Sequence, residues 1–68
     1  MWVSHPDSGN ELFNLNVFER IFVDQDSIVL QDVEGGHVLL TFESEAAAQR
    51  AFIAIYSSLK EDVKLLKL

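Results

Sequence analysis

A chain of 68 residues with 11 Asp and Glu against 5 Lys and Arg carries a formal charge of −6, and it contains no cysteine. This excludes a disulfide framework, a thiol nucleophile and a cysteine-based zinc site, and leaves too few cations for general nucleic-acid binding. Hydrophobic residues make up 49%, too many for a disordered tail, so one small domain over 1–68 is expected, held by its core, by a partner, or by both.

In chain order, Met1-Trp2-Val3-Ser4-His5 lacks the basic start and apolar stretch of a signal peptide. No apolar run approaches the ~18 residues of a membrane span. A soluble cytoplasmic protein with no membrane partner is expected. Trp2-Val3 opens a β-rich run, and His5 to Asn10 is dense in turn residues. Residues 12–15 form a second run. Asn16-Val17-Phe18-Glu19 reads as a single helical turn capped by Asn16, with Phe18 pointing inward. Further strands are expected over 20–23, 28–30 and 38–42, broken at Asp24 to Ser27 and at Asp32 to Gly36.

After Phe42 the period changes. Ser44 is a helix N-cap residue, and Glu43 and Glu45 place negative charge where a helix start favours it. Ala48, Phe52, Ile55, Leu59, Val63 and Leu66 then follow as one helical stripe, flanked by Ala51 and Tyr56. No glycine or proline follows Gly36, so a helix could run almost to the end. Lys60, Lys64 and Lys67 would complement its dipole. Such a helix of about 22 residues would outreach a six-residue strand by two turns. Residues 63–68 therefore either meet a second subunit or leave the helix and pair as a short edge strand. The fold class is α+β: an antiparallel meander of four to five strands with one long C-terminal helix packed on one face.

The strand runs also predict a register. With Val23 opposite Ile28, Phe22 meets Val29, Ile21 meets Leu30 and Arg20 meets Gln31. A three-residue connection Val33-Glu34-Gly35, with glycine in its left-handed position, sets Leu30 opposite Val38, Val29 opposite Leu39 and Ile28 opposite Leu40. Alternation then sorts the faces. Rows Ile21–Leu30–Val38 and Val23–Ile28–Leu40 form an apolar face for the helix. The other face carries polar rows Arg20–Gln31–His37 and Asp24–Ser27–Thr41, with the apolar row Phe22–Val29–Leu39 between them. Either that row meets another molecule, or Trp2, Val3 and Phe13 fold over it, or it is a set of scattered surface apolars that needs no explanation.

Little in the sequence points to chemistry. His5 and His37 could join Asp7, Asp32 or Glu34 around a metal, but no ligand spacing is present. Asp24-x-Asp26 begins like a calcium loop, yet the position due a terminal Glu holds Gly35. Gly35-Gly36 lacks the phosphate-loop pattern. Ser4, His5 and Asp7 are too close in sequence to assemble a triad. A domain of this size also has little volume for a concave pocket. Trp2 and Tyr56 are the largest amphipathic side chains, suited to a binding centre or, for Trp2, to a lid over the core.

Trp2-Val3, Gly9, Phe13-Asn14-Leu15, Ile21, Ile28-x-Leu30, Gly36 and Phe42-Glu43-Ser44-Glu45-Ala46-Ala47 together resemble small bacterial and phage proteins built as a β-meander followed by one helix, with the flagellar-operon FlbD type nearest in pattern. The resemblance covers turn and core positions over most of the chain. It implies the fold and carries no catalytic or ligand residue.

The expected function is a small non-enzymatic interaction module that self-associates as a dimer. Phe22, Val29 and Leu39 on the sheet, and Val63 and Leu66 in the tail, are its candidate interface residues. No catalytic, cofactor or metal residue is assigned, and nucleic acid is not an expected partner. The alternatives are an adaptor or regulator that binds another protein, and a metal-dependent binder or enzyme with a site between subunits.

Overall fold

Three short apolar runs, over residues 21–23, 28–30 and 38–40, bounded by polar residues and separated by two turn clusters, build the central meander. The computed structural model describes residues 1–7 and 10–68. Of the turn expected between His5 and Asn10, Ser8 and Gly9 lie outside the described residues. The elements are β1 (Trp2–Ser4), β2 (Phe13–Asn14), a single 3-10 turn (Leu15–Val17), β3 (Arg20–Asp24), β4 (Ser27–Gln31), β5 (His37–Thr41), α1 (Glu45–Lys60) and β6 (Leu65–Lys67). The chain is thus α+β with a meander and one packed helix, but the described residues form six strands in two sheets rather than four or five. The 3-10 turn stands where a helical turn is expected, with its cap two positions earlier. Asn14, not Asn16, is the cap, its Oδ1 accepting from the Asn16 amide at 3.1 Å.

The meander β3–β4–β5 is antiparallel, and every pair follows the expected register: Phe22 with Val29, Ile21 with Leu30, Val29 with Leu39, Leu30 with Val38. Its second turn explains why. Gly35 sits at φ +90°, a conformation glycine adopts freely. The Asp32 carboxylate accepts from the Glu34 amide at 2.9 Å and the Gly36 amide at 3.0 Å. A side chain that satisfies two turn amides pins the loop length, and loop length pins register.

α1 starts where the sequence indicates. Ser44 is extended and its hydroxyl accepts from the Ala47 amide at 3.0 Å. The helix ends after 16 residues, at Lys60, not near Leu66. Asp62 turns the chain with φ +57°. The Val63 amide donates to the Ser58 carbonyl at 3.0 Å and the Asp62 amide to the Leu59 carbonyl at 3.4 Å. This is the paired-bond C-terminal motif that glycine usually serves. Lys64 and Lys67 therefore lie beyond the helix, and only Lys60 stands in its last turn.

The freed tail becomes β6. It pairs parallel to β1, while β2 pairs antiparallel on the other side of β1. The Trp2 amide donates to the Lys64 carbonyl and the Leu68 amide to the Ser4 carbonyl, both at 2.9 Å. Val3, Leu15, Ile28, Leu30, Leu40, Ala51 and Ile55 form the core cluster, with Phe13, Phe18, Leu66 and Leu68 packed against it. The inward face of the meander is thus covered jointly by α1 and by the β2–β1–β6 sheet. The buried helix positions are Ala48, Ala51, Ile55 and Ser58. The stripe is rotated from the expected one: Phe52 is half-buried and Leu59 is exposed. Small side chains at 48, 51 and 58 make up most of the buried helix face. Among the described residues, no helix is long and apolar enough to cross a membrane.

Candidate functional site

The candidate site is the outward face of the meander. Residues of one strand alternate between faces, so Phe22, Val29 and Leu39 form a row on the side away from α1. Val29 is only 5% exposed, yet it stands outside the core cluster. Leu39 beside it is 58% exposed. Phe22 on the other side is half-buried and lies under the Arg20 guanidinium, whose central carbon sits 4.5 Å from the ring centroid. On one flank the Ser27 and Thr41 hydroxyls hydrogen bond at 3.0 Å. On the other, Arg20, Gln31 and His37 share a row. An apolar strip between polar rims is the composition of a contact surface.

The tail candidates are placed differently. Leu66 packs against the core beside its strand partner Val3. Val63 is half-buried where its amide closes α1. Both are engaged within the chain. Trp2 and Leu65 are paired neighbours on the outward side of the first sheet, each about half exposed. Trp2 is therefore no lid, because Val3, the next residue, is the one that points inward. Val3 belongs to the core cluster and Phe13 packs against it, so neither folds over the Phe22–Val29–Leu39 row.

The small domain nevertheless has a groove. It encloses about 510 Å³ between the segment His5–Asp7, the end of β5, α1 and β6. Alanines 47, 51 and 54 make the room, and Arg50, Lys67, Asp7 and Glu43 line it with opposing charges. His5 is its most buried polar group, at 7% exposure. Its Nε2 donates to the Thr41 carbonyl at 2.7 Å, and its Nδ1 accepts from the Asp7 amide at 3.1 Å. Its ring meets Phe42 edge-on at 4.9 Å. Both nitrogens are used to tie the N-terminal segment to β5, which leaves neither free to move a substrate proton. Among the described residues, no three His, Asp or Glu side chains gather as a metal site would require. Asp24 ends β3 and Asp26 lies in the hairpin turn that follows, and Gly35 and Gly36 belong to the next turn. Comparison with known proteins finds no matching family model, no matching curated protein and no matching solved structure.

Proposed function

We propose that this chain is a small non-enzymatic module that self-associates through its β3–β4–β5 sheet. One observation carries the reading. An apolar row, Phe22–Val29–Leu39, runs across the face that α1 and the first sheet leave open, and its centre is already dry while its flank at Leu39 is 58% exposed. A sheet covered on one side normally turns polar side chains to water on the other. This one keeps an aromatic and two aliphatic residues in line there. A second copy is the partner the reading names; it abuts the Phe22 end of the row, and the lengthened apolar strip the dimer leaves free is where another protein would bind.

The test is absolute mass by light scattering behind size exclusion, over a hundredfold range of concentration. Twice the 7.7 kDa chain mass, persisting on dilution, is the expected result. A stable single chain throughout would overturn the proposal.

A further inference from the structure

We infer that the outer edge of β3 is the seam of that self-association, on which a second copy adds antiparallel with Phe22 at the two-fold axis. The inference rests on the self-association reading and specifies its geometry. The meander has two outer strands, β3 and β5. The Phe42 amide donates to Asp26 and the Asp32 amide to Gly36, both at 2.8 Å. These bonds fix the alternation of the ladder: even-numbered residues of β4 bond β5, and odd-numbered ones bond β3. On β3, Arg20, Phe22 and Asp24 therefore turn their backbone groups to β4. Ile21 and Val23 turn theirs outward, and no bond from another described residue reaches them.

The other edge is closed at one end. On β5 the outward groups belong to His37, Leu39 and Thr41, and the Thr41 carbonyl already accepts from the buried His5 ring. A strand entering along β5 would have to displace His5. Along β3 it meets nothing comparable among the described residues.

The β3 sequence is its own complement. Arg20-Ile21-Phe22-Val23-Asp24 has opposite charges at equal distances from its centre. With the two-fold at Phe22, Ile21 faces the second copy's Val23 in two hydrogen-bonded pairs, which use the outward amides and carbonyls. Arg20 stands directly opposite the second copy's Asp24, at both ends. Parallel in-register pairing would instead set Arg20 against Arg20 and Asp24 against Asp24, which is destabilising. The antiparallel arrangement resolves a problem of charge. Each chain carries −6, so association needs local attraction at the seam. It also brings the two Phe22 rings into a close, non-hydrogen-bonded pair and doubles the apolar row to Leu39–Val29–Phe22–Phe22–Val29–Leu39. On the inward face, Ile21 and Val23, half-buried at the sheet margin, gain apolar neighbours.

Charge exchange tests the seam, because Arg20 and Asp24 are exposed and their replacement leaves the core intact. Arg20→Asp and Asp24→Arg, each alone, are expected to weaken association at least tenfold in light scattering, with far-UV circular dichroism unchanged. The double variant Arg20→Asp/Asp24→Arg restores opposite charges and is expected to recover the two-chain mass. Leu39→Lys, two strands from the seam, is expected to keep it. If the single charge variants stay dimeric, the seam is wrong. If Leu39→Lys dissociates the dimer and Arg20→Asp does not, the contact lies on the sheet face; the seam falls and self-association stands. A wild-type chain that is monomeric removes both.

Discussion

Asp62 decides where α1 stops, and it does so at a conformational cost. A non-glycine residue at φ +57° crowds its Cβ against the backbone, a strain that Asp tolerates better than most residues but glycine avoids. Asp62→Gly is expected to stabilise the fold by about 0.5–1 kcal/mol, read as a higher urea midpoint with unchanged slope. Asp62→Val would move in the opposite direction. Gln25 at φ +55° in the first hairpin turn is the same kind of position. Neither is legible in the sequence, because the usual signal for a left-handed residue is glycine, and these two positions hold Asp and Gln. Where glycine does occupy such a position, at Gly35, the turn and its length were readable. His5 was hidden for a different reason. Its role depends on the Thr41 carbonyl of a distant strand, and no local pattern announces that contact.

At the scale of elements, the helix face separates two kinds of apolar residue. Ile55 is buried in the core cluster, while Leu59, one turn later on the expected stripe, is half exposed. Ile55→Ala is expected to cost about 2–5 kcal/mol, because it empties a filled site between α1 and the sheet. Leu59→Ala is expected to fall within about 0.5 kcal/mol, as surface changes usually do. Paired urea titrations read both. Equal losses at the two positions would mean that the helix packs on the stripe the spacing suggested. Periodicity identified the helix and one of its edges. It could not fix the rotation, because Ala48, Ala51 and Ser58 are small enough to be buried without marking an apolar stripe. The meander was easier. Side chains in strands alternate strictly, so a one-residue error would have put Ile28 and Leu30 in water. The same alternation placed Phe22, Val29 and Leu39 on one face and made the candidate site visible before the fold was.

At the scale of the molecule, the two ends of the chain hold each other. β1 and β6 are parallel neighbours, and Val3 and Leu66 enter the same core as Ile28 and Leu30. Leu66→Ala is expected to loosen this first sheet before the meander. Hydrogen exchange at the Trp2 and Leu68 amides should accelerate, while amides of β4 keep their protection. Uniform acceleration would show instead that the two sheets open together. The chain's own residues determined the meander, its register, its two faces, the start of α1 and the charge symmetry of β3 about Phe22. Each of these is written in neighbours a few residues apart, through side-chain alternation, turn chemistry and capping. The end of α1, the fate of residues 63–68, the pairing of β1 with β6 and the closure of β5 by His5 were decided only by the tertiary structure. They join segments from opposite ends of the chain, and what selects them is the burial of Val3 with Leu66 packed against the core, and the hydrogen bond of buried His5 to Thr41, rather than any local preference.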